Sequence, residues 1–273
     1  MVRTLPEGEP VWGVTSLADE VYVLREKKRD QVEVYDARDD TYHLLRRLTV
    51  PNCDYYTDMT SCPHKRCVYV ANENDHCVYG LNVEGAGTWW CVNDEPAGLS
   101  VNAGHNVLII CEEVRKIKEF SSRGELLREL TLPGDVINPL HAIQLKSGQF
   151  IVCHGDVGDA VPHRVCKISE DGNHVVQSHG GQRGSAHGQY DKPARLAVDD
   201  NEFVFVVDYY NRRVTLLSPT LTYMREVVFI DDMNWIPVRL HLNTQIRRLY
   251  VAVNKWNPER DVYTAGRVEV FSV

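Results

Sequence analysis

Short apolar runs, each closed by a polar break, recur in one order along the whole chain. In the clearest copy Lys192-Pro193-Ala194-Arg195-Leu196-Ala197-Val198 leads to Phe203-Val204-Phe205-Val206-Val207-Asp208, then to Tyr209-Tyr210-Asn211-Arg212-Arg213-Val214-Thr215-Leu216-Leu217. The opening proline returns at Pro10, Pro96, Pro139, Pro193 and Pro237, with Tyr55 in its slot in the second copy. Successive copies therefore begin 45, 41, 43, 54 and 44 residues apart. Runs this short, bounded by Gly, Asn, Asp and Pro, are strand signals, and near-continuous ones such as Val107-Leu108-Ile109-Ile110 suit strands packed on both faces. A period in the forties built from short strands predicts an all-β fold, a six-bladed β-propeller with one four-stranded antiparallel blade per repeat. No segment carries the caps and period of a long helix.

Within each repeat the strands are labelled a to d from the central axis outward. The sixth repeat supplies Leu249 to Val253 and Arg267 to Phe271 before the sequence reaches Val273, so its d strand is missing. At the other end, Val2-Arg3-Thr4-Leu5-Pro6 matches the d-strand endings Arg47-Leu48-Thr49-Val50-Pro51 and Glu129-Leu130-Thr131-Leu132-Pro133. The N-terminal strand is therefore expected to close the last blade and cover a sheet edge that would otherwise invite aggregation. Residues 1–273 read as a single propeller domain.

Composition narrows the partners. The 273 residues are 43% hydrophobic and 25% charged, an ordinary globular balance. A net charge of −8 weighs against broad attraction to nucleic acid or anionic membrane. No apolar run approaches the roughly 20 residues that span a bilayer. The N-terminus lacks the apolar core of a secretory signal. Most of the eight cysteines (Cys53, Cys62, Cys67, Cys77, Cys91, Cys111, Cys153 and Cys166) lie in or beside apolar runs, as small buried hydrophobes of a reducing compartment do. The expectation is a cytoplasmic monomer with no membrane partner.

Repeat five, from Gly184-Ser185-Ala186-His187-Gly188-Gln189-Tyr190-Asp191-Lys192-Pro193 onward, resembles the NHL repeat. That pattern runs Gly-x-x-x-Gly-x-aromatic-x-x-Pro, then apolar-Val-x-Asp, then Asn-x-Arg-apolar. Repeats one and three keep part of it. In two, four and six the Asp of the second strand becomes Asn72, His154 and Val253. The resemblance covers the whole chain and is nearest to the C-terminal propellers of TRIM-NHL proteins. It implies a protein- or RNA-binding scaffold. Related six-bladed enzymes, among them an amidating lyase, strictosidine-synthase-like proteins and lactonases, imply a second class.

In a propeller the d-to-a and b-to-c connections share one face, and the departures from the plain period fall there. They are a loop at 155–163 with Asp156, Asp159 and His163, a loop at 254–266 with Trp256 and Arg260, and a glycine-rich connection at 179–193. Insertions confined to one face of a repeat array mark its binding face. The residue two after each proline slot opens strand a beside the channel and reads Trp12, Thr57, Gly98, His141, Arg195 and Arg239. The ends of strand b add Arg25, Asn72, His154 and Asp208, and Tyr55, Tyr56, Tyr209, Tyr210, Trp235 and Trp256 add aromatic surface. The expected ligand-binding set is Trp12, Arg25, His141, His154, Arg195, Arg239, Tyr209, Tyr210 and Trp256. It suits an anionic or aromatic ligand held by charge-assisted hydrogen bonds and stacking. The competing reading has these groups bind one another, with Arg195 bridging to Asp208, while Asp208, Asn211 and Arg212 serve a turn.

Neither a metal nor a cofactor is expected. Cys62-Pro63-His64-Lys65-Arg66-Cys67 looks like half a zinc site, but Cys53 and His76 belong to the opposite face; His141, His154 and His163 are read as unrelated histidines. No nucleophile elbow, His-Glu-x-x-His helix or phosphate loop occurs. The first functional reading is a non-catalytic scaffold for a protein partner, with single-stranded RNA second. RNA would use Arg25, Arg195, Arg239, the tyrosines and the local charge of Lys27-Lys28-Arg29. The alternative is a small-molecule enzyme or binder at the channel mouth. That would be a lyase or hydrolase with His141 or His154 as acid/base and both arginines clamping a small anionic ligand.

Overall fold

The computed structural model describes residues 3–26, 30–39, 41–50, 56–85, 87–155 and 160–273. A short N-terminal strand β1 (Arg3–Thr4) precedes blade one, which is β2 (Val11–Leu17), β3 (Glu20–Arg25), β4 (Gln31–Asp36) and β5 (Leu44–Thr49). Blade two is β6 (Tyr56–Cys62), β7 (Cys67–Asn72), β8 (Cys77–Asn82) and β9 (Gly87–Cys91). Blade three is β10 (Gly98–Val101), β11 (Val107–Cys111), β12 (Lys116–Phe120) and β13 (Leu126–Thr131). Blade four is β14 (Pro139–Gln144), β15 (Phe150–His154), β16 (His163–Ile168) and β17 (Val175–Gly181). Blade five is β18 (Pro193–Val198), β19 (Val204–Asp208), β20 (Arg213–Leu217) and β21 (Tyr223–Phe229). Blade six takes β22 (Trp235–Asn243), β23 (Arg248–Asn257) and β24 (Val262–Ser272) from the C-terminus and β1 from the N-terminus.

All six sheets are antiparallel and four-stranded, and the inner strands β2, β6, β10, β14, β18 and β22 touch in sequence, with β22 returning to β2. The apolar core is divided into six clusters, one per seam between blades. Tyr22, Leu24 and Val34 of blade one, for example, pack on Val68, Val70 and Tyr79 of blade two. This is why strand b is buried on both faces, as in Val107 to Cys111, while the outer strands β5, β13, β17 and β21 are mostly exposed. Among the described residues no helix is long and apolar enough to cross a membrane.

The expected closure by the N-terminal strand is present. Arg3 pairs with Val270 and Thr4 with Glu269, the Leu5 amide donates to the Val268 carbonyl at 2.9 Å, and Gly8 exchanges hydrogen bonds with Gly266. Two details differ from expectation. The blade-six insertion is not a loop: β23 and β24 run on as a hairpin past Trp256 and Val262, because Lys255 to Asn257 can pair with Val262 to Ala265. The proline slot is also displaced by one residue in the first two repeats. The register partner of the last strand-b residue is Pro193 in blade five, but Val11 in blade one and Tyr56 in blade two.

Candidate functional site at the channel mouth

A bulge sets the geometry of five of the six inner strands, β10 of blade three pairing without one. The ladder slips between Val11 and Gly13, Tyr56 and Asp58, Pro139 and His141, Pro193 and Arg195, and Pro237 and Arg239. A bulge leaves one residue out of the pairing and re-aims its backbone. Here the extra residues Trp12, Leu140, Ala194 and Val238, with Ala97 of blade three, line a cavity of about 320 Å³ at the mouth of the axial channel. Their carbonyls face the axis, where each needs a donor.

Two guanidinium groups supply those donors. Arg195 gives hydrogen bonds to the carbonyls of Ala194 at 2.8 Å, Ala97 at 3.1 Å and Leu140 at 3.4 Å. Arg239 donates to the carbonyls of Trp12 at 2.9 Å and Val238 at 2.7 Å, and stacks 5.5 Å from the Trp12 ring. Two buried cations side by side need a counter-charge. It is Asp58, a residue the sequence reading passed over, whose carboxylate lies 3.4 Å from Arg239 and 3.7 Å from Arg195 and accepts the Leu99 amide at 2.9 Å. Burial, followed by repulsion from Arg195, pulls Arg239 down to about 9. Corrected for the displaced slot, the ring around the axis reads Gly13, Asp58, Gly98, His141, Arg195 and Arg239. A Cβ at Gly98 would stand 2.6 Å from the Leu140 carbonyl oxygen, so the crowded ring admits no side chain there.

The rim above this floor is acidic. Glu26, Glu73 and Glu112 each follow the last residue of a strand b, the position held by Tyr209 in blade five, and all four side chains line the cavity. Glu95 and Lys192 line it from the residue before the proline slot. Glu73 hydrogen-bonds Glu95, and burial, that hydrogen bond and repulsion from Glu95 and Glu112 push its carboxyl up to about 7. Beside another carboxyl this close, Glu73 keeps its proton up to near neutral pH.

The residues singled out from sequence divide into two groups. Trp12, Arg25, Arg195, Arg239 and Tyr209 line the cavity; His141, His154, Tyr210 and Trp256 do not. Arg25 is engaged by Glu33 at 2.7 Å and by the carbonyls of Pro6, Glu9 and Gly266. His141 sits below the arginines, donates to the Leu99 carbonyl at 2.9 Å and is drawn down to about 4, burial being the main cause. His154 is fully buried, accepts from Arg164 at 3.2 Å and is lowered to about 4 by burial and by Arg164. Both are neutral near pH 7. Trp256 reaches the mouth indirectly, since its ring packs edge-on to Tyr263 at 5.1 Å and Tyr263 packs edge-on to Trp12 at 5.5 Å. Tyr210 meets Tyr209 at 4.7 Å.

Asp208 is bound within its own blade. It accepts from the Asp191 amide, Asn211 and Arg213, each within 2.8 Å, so its arginine partner is Arg213 and not Arg195 or Arg212. Arg212 lies 6.0 Å over Phe229. His163 takes the Lys192 amide at 2.8 Å, and no three metal-ligating side chains gather among the described residues. Tyr55, Asp156, Asp159 and Lys27-Lys28-Arg29 lie outside the described residues, as does the Thr57 side chain. Below Asp58 a second chamber of about 190 Å³ continues toward the opposite face. Beside it Thr15, Ser16, Ser61 and His241 bond one another across three blades.

No family model matches this sequence, and no curated protein does. Solved structures match the fold. A streptogramin B lyase aligns over 97% of this chain and 86% of its own, at 11% identity and a TM-score of 0.64. Virginiamycin B lyase from Staphylococcus aureus aligns over 100% of both chains, at 9% identity and 0.65. A protein of unknown function from Bacteroides thetaiotaomicron aligns over 98% of this chain and 75% of its own, at 13% identity and 0.69. Identities this low carry the architecture alone, and the chain is a six-bladed β-propeller similar in fold to these lyases.

Proposed function

We propose that the chain binds a small molecule at the channel mouth and that the ligand presents a cationic amine on an apolar or aromatic body. The observation carrying this reading is the set of four rim glutamates over a cavity of about 320 Å³ walled by Trp12 and Tyr209. That volume lies within the roughly 300–1,000 Å³ typical of ligand pockets. Carboxylates with aromatic faces favour ammonium groups. An anionic ligand suits the site less well, because both floor arginines already serve carbonyls and Asp58. The same commitments, with the acidic rim, weigh against single-stranded RNA.

A protein partner remains the second reading. The aromatic series Trp256–Tyr263–Trp12 leads from the blade-six hairpin to the mouth, and suits a peptide that inserts a lysine or arginine among the glutamates. Any lyase-like or hydrolytic chemistry would place its proton transfer on the Glu73–Glu95 pair, in preference to His141 or His154. We also infer an NHL-type blade in repeat five, supported by the Asp208–Asn211–Arg213 lock that its motif residues form.

Phenethylamine and phenylacetate, matched in body and opposite in charge, test the reading by calorimetry. The amine is expected to bind, and Glu112→Gln to weaken it by about tenfold, which is roughly 1.4 kcal/mol. Preferential binding of phenylacetate, or amine binding indifferent to Glu112→Gln, would overturn it.

A further inference from the structure

One pair of thiols, an exposed one and one at the edge of a seam, meets across two strands of a blade. Cys77 opens β8, Cys91 closes β9, and the register sets them directly opposite. The Val92 amide donates to the His76 carbonyl at 2.7 Å, so the next pair inward, Cys77 with Cys91, is a non-hydrogen-bonded one. Such pairs bring Cα atoms to ~4.5 Å. A disulfide bridges Cα separations of ~4.4–6.8 Å. The two sulfurs are already 3.5 Å apart. Cys91 is exposed and Cys77 is buried, which gives one thiol that a solute can reach and one that waits behind it.

The pair also has a position of consequence. Glu73 lies four residues before Cys77 and Glu95 four residues after Cys91, so the turn and the connection that bring these carboxyls together both start from the thiols. We propose that Cys77 and Cys91 are a redox modification site, forming a reversible cross-strand disulfide with a low-molecular-weight disulfide as oxidant and stapling together the segments that carry Glu73 and Glu95.

The exchange balances in two steps. The Cys91 thiolate attacks one sulfur of oxidised glutathione and expels one glutathione thiolate, which takes up a proton from solvent. Cys77 then loses its proton to solvent, attacks the Cys91 sulfur of the mixed disulfide and expels the second glutathione. Two protein thiols are oxidised and one small disulfide is reduced to two thiols. Burial and the hydrogen bond to Cys91 push the Cys77 thiol up to about 12, so Cys77 is a poor first nucleophile. Capping Cys91 removes that hydrogen bond and the neighbouring charge, and leaves Cys77 the nearest attacker.

Intact-mass and peptide mapping under non-reducing conditions read the outcome after oxidised glutathione is added at mildly alkaline pH. The wild-type chain is expected to lose two hydrogens and yield a peptide linking Cys77 to Cys91, both reversed by dithiothreitol. Cys77→Ser should stop at a stable glutathione adduct on Cys91, and Cys91→Ser should form no adduct at Cys77. Persistent free thiols, a lasting adduct on wild-type Cys91, or linkage to another cysteine would overturn the disulfide. Hydrogen exchange tests the staple, with residues 73–76 and 92–95 exchanging several-fold more slowly in the oxidised chain. Unchanged exchange in a verified disulfide form would overturn that part.

Discussion

Glu73 shows how much a single side chain can depend on its company. A lone glutamate in a surface turn ionises near 4.5, yet here burial and the paired Glu95 raise it to about 7. A carboxyl raised in the fold binds its proton more tightly there than in the unfolded chain. Its contribution is therefore fully present below pH 4.5 and is lost as pH rises through 7. Glu73→Gln keeps a neutral donor toward Glu95 at every pH. The variant is expected to match the wild type near pH 4.5 and exceed it above pH 8. The gain is about 1 kcal/mol after allowing for solvent screening at this half-buried site. Thermal melts across that range check the sign; a variant less stable than wild type at pH 8 would mean that the Glu73 carboxyl is not raised in the fold.

At the scale of the strand, the bulge decides what the channel contains. It turns the carbonyls of Trp12, Leu140, Ala194 and Val238 toward the axis, the carbonyls call for Arg195 and Arg239, and the two cations call for Asp58. Asp58→Asn removes the carboxylate that both arginines approach, and breaking a buried ion pair costs about 3 kcal/mol or more. Chemical denaturation should show that loss, and adding Arg195→Met to Asp58→Asn should recover part of it by removing the excess cation. Full stability in the single variant would exclude Asp58 as the keystone. The strands themselves were legible because their apolar runs repeat, and so was the closing role of the N-terminal strand. The bulges were not, because pairing register is a property of two strands and a proline marks the slot only approximately. Hence the proline spacing points to Trp12 where Gly13 holds the ring place, and to Thr57 where Asp58 does. The acidic rim was missed for a different reason. Glu26 and Glu112 sit in charged turns that read as solvated, and only their shared position after strand b places them at the mouth.

For the whole molecule the stabilising terms are divided between places. Six apolar seams hold neighbouring blades together, but a ring of blades fails at its weakest seam, and blade six is assembled from both ends of the chain. Among the described residues strand β1 contributes two paired residues to that closure, too few to hold by themselves. Arg25 strengthens the joint. From blade one it reaches the Pro6 and Glu9 carbonyls of the N-terminal segment and the Gly266 carbonyl of β24, and Glu33 balances its charge at 2.7 Å in a setting where both side chains are 5% exposed. This accounts for an arginine at the mouth that serves closure more than ligand. Arg25→Ala takes from buried Glu33 its closest cation, leaves the Pro6 and Glu9 carbonyls without this donor and the Gly266 carbonyl with the Gly8 amide, a loss of about 3 kcal/mol. The effect should be local before it is global. The amides of Leu5 and Gly8, which donate to Val268 and Gly266, should exchange far faster while those of β11 and β15 stay protected. Arg25→Lys, which keeps the charge without the planar fork, should fall between the two. If Leu5 and Gly8 remain as protected in Arg25→Ala as in the wild type, the ring is closed by the Leu5 seam contacts and Arg25 is available to the mouth after all.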